Sequence, residues 1–216
     1  MNQSKVLLTI DWDYFIEAPL KVRDEIFPRV TEGFKDSIPD NSLWDDVPHP
    51  TYGFDLLSFE RLHKAFFNGA KNSNSSIPVY YSENHCEAFY AFMQGGADYN
   101  KLINVDFHHD MGIEPQLSCD DWARRLTTDY DVDYYWVKRA DSVTTCFGVE
   151  VPAKILSFED LLNVISEGSI DAVHVCRSDL YSPPTYDAWF NSLLTELSEM
   201  YWTKPVLLGR ELQKRG

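Results

Sequence analysis

Short, unbroken apolar runs that each stop at charged or imidazole side chains are what most constrain this chain. Residues 5–11 (KVLLTID), 77–82, 102–107 and 170–176 are rich in aliphatic and β-branched side chains with little polar alternation. Such runs suit strands buried on both faces, as in a parallel sheet. Each is followed at once by polar residues and then by helix-like sequence, as in 83–93 after the second run and 183–201 after the last. Residues 56–70 carry apolar side chains at helical spacing, and Ser157-Phe158-Glu159-Asp160 reads as an N-cap opening a helix over 159–165. The Tyr- and Trp-rich stretch 132–138 is a fifth candidate strand. This rhythm predicts an α/β fold of three layers, α/β/α, around a mostly parallel central sheet.

The 216 residues, 44% of them hydrophobic, suffice for one core, and no internal repeat divides them, so a single domain over 1–216 is expected. Residues 36–54 hold Pro39, Pro48, Pro50 and Gly53 and read as a long ordered loop, with 72–76 a shorter polar connector. Asp and Glu number 34 against 19 Lys and Arg, a net charge of -15. That balance argues against nucleic acid as a partner and suits a cationic substrate. Cys86, Cys119, Cys146 and Cys176 are dispersed without a CxxC pair, so neither a zinc knuckle nor a disulfide framework is signalled. There is no signal-peptide pattern and no apolar stretch near the roughly 20 residues that span a bilayer. A cytoplasmic protein without a membrane partner is expected; a homo-oligomer is compatible with the sequence.

In open parallel sheets the ligand crevice lies beyond the carboxyl ends of the strands, so the residues that end each run carry the chemistry. Here they are Asp11-Trp12-Asp13, Glu83-Asn84-His85, Asp106-Phe107-His108-His109-Asp110 and Arg177-Ser178-Asp179. If the strands run on, alternation places Asp106, His108 and Asp110 on one side and pairs Asp11 with Asp13. An Asp pair at a strand end is commonly a turn or cap, and a lone histidine commonly opens a helix. Three hard ligands at alternate positions after an apolar strand are more specific. Carboxylates crowded at the edge of a core are costly unless cations neutralise them. Oxygen and imidazole donors without thiolate suit Mn²⁺, Fe²⁺ or Zn²⁺, and the set is large enough for two ions.

The motif Val105-Asp106-Phe107-His108-His109-Asp110 is similar to the DxHxD signature of the arginase and ureohydrolase superfamily, and Thr9-Ile10-Asp11-Trp12-Asp13 is similar to its SxDxD signature. Glu83-Asn84-His85-Cys86 stands where that superfamily has GDHS. SxDxD precedes DxHxD here, the reverse of standard arginases. That order, with ENHCEAFY (83–90), NVDFHHD (104–110) and the late S-D-x-x-x-P-P segment (178–184), resembles the peptide arginase family.

The resemblance implies an arginase/deacetylase-like fold and two Mn²⁺ ions, with urea and ornithine made from arginine inside a ribosomally synthesised precursor peptide. It implies that Asp11 and Asp106 bridge the ions, that His85 and Asp110 complete one, and that Asp13 and His108 complete the other. Asp110 would hold the nucleophile's proton and pass it to the leaving amine. A guanidinium needs an anchoring carboxylate. Asp179 is the candidate, its other reading being a turn or helix-start residue before Ser182-Pro183; Glu17 and Asp121 are further substrate contacts. The histidine shuttle and SGN-type loop of small-molecule arginases are absent, Ser118-Cys119-Asp120-Asp121-Trp122 standing in their place. His109 is a candidate shuttle, although alternation turns it away from His108. His49, His63 and His174 read as structural. Trp44, Tyr52, Trp122, Tyr134, Tyr135 and Trp136 read either as a peptide groove or as core. Three other functions fit parts of the pattern: a ureohydrolase for a small guanidino compound, a haloacid-dehalogenase-like phosphatase built on Asp11 and Asp13, and a metal- or peptide-binding module without turnover.

Overall fold

The chain opens with the strand that becomes the centre of its sheet. In this computed structural model, which describes residues 4–19, 23, 52–73, 76–113, 117–118, 120–146, 148–178 and 182–209, β1 (Val6–Asp11) is followed by a 3-10 turn, Trp12–Phe15, and by β2 (Ile16–Glu17). Then come β3 (Gly53–Phe54), α1 (Leu56–Asn72), β4 (Val79–Ser82), α2 (Ala88–Gln94), β5 (Lys101–Val105), α3 (Trp122–Asp129) and β6 (Asp133–Val137). β7 (Thr145–Cys146), β8 (Val149–Glu150), β9 (Lys154–Ile155), α4 (Phe158–Ser166), β10 (Ala172–Cys176), α5 (Asp187–Met200) and β11 (Val206–Leu207) complete the order.

Seven strands form one sheet in the order β11-β4-β10-β1-β5-β6-β9, every neighbouring pair parallel. β2 with β3 and β7 with β8 make two small antiparallel ribbons. Alternation along the strands sends Val6, Leu8, Ile10, Ile103, Val105, Val173 and Val175 into one core, against Phe59, Leu62, Phe66, Leu161, Ile165, Leu193 and Leu197 of α1, α4 and α5. Leu7, Leu102, Ala172, Tyr134 and Trp136 enter a second core, against Ala91, Phe92, Trp122 and Leu126 of α2 and α3. The fold is thus a three-layer α/β/α sandwich. Each fully buried Leu, Ile or Phe contributes roughly 1.5–3 kcal/mol.

The helix starts are local chemistry. Asp55 accepts the Ser58 N–H at 3.0 Å to open α1, and Ser157 accepts that of Asp160 at 3.1 Å to open α4. These two helices cross at Gly69, where a Cβ would run into the Ile165 carbonyl. Of the proline-bearing stretch 36–54, only Tyr52, Gly53 and Phe54 are described; the expected loop, with Trp44 and His49, otherwise lies outside the described residues. Among the described residues no helix is long and apolar enough to cross a membrane. Cys86 and Cys176 are free thiols, and Cys119 lies outside the described residues.

Candidate metal centre

Sheet register gathers the ligands. Ile10 pairs with Val105, which sets Asp11 level with Asp106 on the neighbouring strand. On the other side Asp11 pairs with Cys176, and Cys176 with Ser82, three residues before His85. Each strand therefore delivers its terminal polar residue to one spot at the carboxyl edge, where β1 sits between β10 and β5.

Local turns aim the side chains. Asp11 accepts the N–H of Asp13 at 3.1 Å, and Asp106 accepts that of His108 at 2.8 Å, so both carboxylates are steadied by the backbone two residues on. The expected strand alternation through Asp106, His108 and Asp110 does not occur. β5 ends at Val105, and the chain turns at Asp106. Asp110 reaches the cluster through a left-handed backbone with φ of 50°, a conformation that costs a non-glycine residue roughly 1–2 kcal/mol. It is held there because its carbonyl accepts the N–H groups of Ala123 and Arg124 at the start of α3, at 3.2 and 3.3 Å, and its Oδ2 accepts the Trp122 indole N–H at 2.8 Å. Ser178, also left-handed with φ of 51°, donates its hydroxyl to Asp11 Oδ2 at 3.1 Å.

All six expected ligands meet. His85 Nδ1 lies 3.0 Å from Asp11 Oδ2, 3.0 Å from Asp106 Oδ2 and 3.1 Å from Asp110 Oδ2. His108 Nδ1 lies 3.3 Å from Asp13 Oδ2 and 3.8 Å from Asp106 Oδ1. Two groups of donors result, Asp11-His85-Asp106 and Asp13-Asp106-His108, each with its ligand atoms within 4.8 Å of one another. Asp106 belongs to both, whereas Asp11 stands in the first alone. The first group is buried; the second opens outward at His108, whose side chain is 34% exposed.

Electrostatics records the strain of four crowded carboxylates without cations. Burial, then the neighbouring Asp13 charge, raises Asp11 to about 7; burial, then Asp110, raises Asp106 to about 7. Burial also acts to raise Asp13, but the hydrogen bond and charge of His108, with Arg23, hold it below the usual carboxylate range. Burial disfavours the charged form of both imidazoles, yet the carboxylates prevail: His85 is pushed well above its ordinary value by Asp11, Asp110 and Asp106, and His108 to about 9 chiefly by Asp13.

Several residues that complete the site are not among the expected ligands or substrate contacts. Behind Asp11 and Asp106, two positions back on the same sheet face, lie Thr9 and Asn104. Asn104 Nδ2 faces Asp106 Oδ2 and Asp110 Oδ2, each at 3.3 Å, and the Tyr134 hydroxyl at 3.1 Å. Thr9 Oγ1 bonds His85 Nε2 at 2.9 Å and His174 Nδ1 at 3.2 Å, so the strand histidine adjoins the site. The guanidinium of Arg23, wholly buried, holds Asp13 through Nη1 at 3.4 Å and the Asp13 carbonyl through Nη2 at 3.0 Å, also bonds the Ile16 carbonyl, and stacks 4.2 Å over the Phe107 ring.

The expected substrate contacts fare differently. Asp179 lies outside the described residues. Asp121 is fully buried; its Oδ1 accepts the Ser118 N–H at 2.9 Å and its Oδ2 the Arg125 Nε–H at 2.9 Å, so it braces the start of α3 and presents no open edge to a guanidinium. Glu17 sits exposed on β2, its carboxylate over Gly53. His109 accepts the Met111 N–H at 3.0 Å and packs edge-on to Trp136, and it belongs to neither donor group. His63 pairs with Glu196 away from the cluster. Tyr52, Trp122, Tyr134 and Trp136 are core, while Tyr135 is half-buried.

Comparison with protein-family models, curated proteins and solved structures finds no match for this chain.

Proposed function

We propose that this chain is a two-metal hydrolase of the arginase type, converting arginine side chains within a peptide to ornithine with release of urea. The observation that carries the reading is the pair of donor groups sharing Asp106 at the carboxyl edge of the sheet. The donors fit such ions: every one is a carboxylate oxygen or an imidazole nitrogen, and four buried carboxylates are a charge that two divalent cations would balance. Asp11, His85, Asp106 and Asp110 would hold one ion, and Asp13, Asp106 and His108 the other, Mn²⁺ being the metal that the motif resemblance implies. When bound, two such cations supply hydroxide at neutral pH, where a guanidinium keeps its charge.

The chain's own residues then do the rest. Hydroxide adds to the guanidinium carbon, the bond from that carbon to the side-chain nitrogen breaks, and the leaving amine takes up a proton. Asp110, steadied by Trp122 and Asn104, is the carboxylate placed to carry that proton. His108 marks the open side from which substrate arrives. The net charge of -15 favours approach of a cationic peptide. A peptide, as against free arginine, is supported by the resemblance of the motif order to the peptide arginases and by the missing SGN-type loop.

Incubating purified chain and Mn²⁺ with an arginine-containing peptide tests this. Two metals per chain, urea, and a peptide lighter by one carbon, two nitrogens and two hydrogens are expected. Metal uptake without turnover on any guanidino substrate would leave a binding module, and phosphate release from a generic ester with Mg²⁺ would favour the dehalogenase-like chemistry; either result overturns the proposal.

A further inference from the structure

Behind the inner donor group runs a line of buried polar side chains that touches neither solvent nor the space between the carboxylates. Ser82 Oγ lies 2.8 Å from the Asn84 carbonyl and 2.9 Å from His174 Nε2. His174 Nδ1 lies 3.2 Å from Thr9 Oγ1, which lies 2.9 Å from His85 Nε2. Thr9, Ser82 and His174 are each 0% exposed, so this line is closed to bulk solvent along its length.

Its proton order is forced. The Asn84 carbonyl only accepts, so the single hydroxyl proton of Ser82 goes there, and His174 Nε2 must donate to Ser82. His174 is buried with both ring nitrogens against hydroxyls and no carboxylate, so it is neutral and carries one N–H; its Nδ1 is an acceptor, and the Thr9 hydroxyl donates to it. The Thr9 proton is thereby committed. Its oxygen is left to accept from His85, which therefore carries its proton on Nε2.

We infer that Thr9, His174 and Ser82 are positioning residues that lock His85 with its Nδ1 lone pair turned to the space shared with Asp11, Asp106 and Asp110. This rests on the reading of His85 as a metal ligand. The sheet builds the lock, since Thr9 pairs directly with His174 across β1 and β10. A ring flip of His85 would break the bond to Thr9 and turn a carbon toward the carboxylates. Outer partners of this kind change metal affinity by about 10–100-fold.

The test uses the full chain with Zn²⁺, which is diamagnetic, as probe. Affinity is measured by calorimetry against a competing chelator, and the imidazole tautomers by nitrogen-15 spectra. In the Zn²⁺-loaded wild type His85 should carry metal on Nδ1 and a proton on Nε2, and His174 a proton on Nε2. Thr9→Val should weaken Zn²⁺ binding about 10–100-fold, and Thr9→Ser, which keeps the hydroxyl, should restore most of the loss. Ser82→Ala should release the His174 proton from Nε2, and this readout stands even where Thr9→Val does not fold. Wild-type affinity in Thr9→Val, Zn²⁺ bound through Nε2 of His85, or an unchanged His174 tautomer in Ser82→Ala would overturn the inference while leaving the metal site intact. A wild-type chain that takes up no Zn²⁺ would sink the proposed function together with it.

Discussion

Replacing Asp106 by Asn separates the two costs that a ligand cluster imposes on its fold. Asp106 is the carboxylate common to both donor groups, and in the metal-free protein it is raised from 3.8 to about 7. Keeping it ionised at about pH 8 therefore withholds on the order of 4 kcal/mol from the folded state, at about 1.4 kcal/mol per pH unit of difference. A carboxyl whose folded value is raised gives its full stability below the unfolded value near 3.8 and loses it as the pH climbs through about 7. Asn keeps the shape without the charge. It preserves an oxygen for the His108 N–H, at 2.8 Å in the wild type, but turns an amide toward the Asn104 donor that faced Asp106 at 3.3 Å. That mismatch costs about 1–3 kcal/mol, leaving a net gain of about 2 kcal/mol. In a chain of 216 residues the gain raises the metal-free Tm by roughly 4–8 °C. The assay is thermal melting at about pH 8 and pH 4, with and without Mn²⁺. At the lower pH, where wild-type Asp106 is already neutral in the fold, the electrostatic part of the gain should vanish and only the mismatch of about 1–3 kcal/mol should remain, so the variant melts below the wild type. Added Mn²⁺ at a hundredfold excess over Kd should stabilise the wild type by about 2.7 kcal/mol per site and the variant hardly at all. A metal-free variant that melts at or below the wild type at pH 8, or that keeps the wild-type response to Mn²⁺, refutes the reasoning.

Arg23→Met should destabilise the metal-free protein by about 3–5 kcal/mol, because it leaves Asp13 buried with the guanidinium charge gone; equilibrium denaturation checks this, and a loss under 1 kcal/mol would show that the pair is dispensable. Gly69→Ala drives a methyl into the Ile165 carbonyl and should cost about 1–3 kcal/mol by the same measurement with Zn²⁺ affinity unchanged, the α1–α4 crossing being remote from the ligands. Because His85 is held well above its ordinary value and His108 at about 9, an entering metal must displace their protons, so Zn²⁺ affinity should climb between about pH 6 and pH 9 with measurable proton release. A flat titration over that window would contradict the charge assignments.

What was legible in the sequence was whatever lies at a strand end. The mostly apolar run 102–107 announces a buried strand, and Asp106 stands out as the carboxylate near its end. What was not legible lay inside the runs. His174 reads as a single polar interruption of its strand, and Thr9 and Asn104 open the motif segments 9–13 and 104–110 without a role of their own; parity with Asp11 and Asp106 puts Thr9 and Asn104 on the site face, and pairing with Thr9 brings His174 beside it. Asp110 came to its place for a reason other than the one expected: strand alternation was the wrong geometry, and a left-handed turn anchored by α3 performs the task. Asp121 carried a local sign that outweighed its nearness to the motif, since an Asp four residues before an arginine at a helix start reads as the pair with Arg125 that the structure shows. Arg23 sits in a segment without periodicity, and its ten-residue separation from Asp13 gave no cue.

The two faces of the sheet divide the work of the fold. On the face packed by α1, α4 and α5, the strand residues are mainly Val, Leu and Ile, with Tyr81 and Tyr135 partly buried on the flanking strands, and burial there calls for little polar matching. On the other face Thr9, Asn104, His174, Asp11, Asp106 and Ser82 are all buried beside the second core. Each such group costs about 1–3 kcal/mol if left without a partner, so this face is tolerable chiefly because hydroxyl, amide N–H and imidazole are matched one to the next, Asn104 Oδ1 being the buried atom among these groups that has no hydrogen bond. That matching is rigid: a ladder of hydrogen bonds with assigned donors has one arrangement, whereas apolar packing admits several. The apolar face therefore supplies stability, and the polar face spends part of it to fix where His85, Asp11 and Asp106 point. A parallel sheet makes the division economical, because register carries the same rows across four neighbouring strands and delivers them at the carboxyl edge where the donor groups lie.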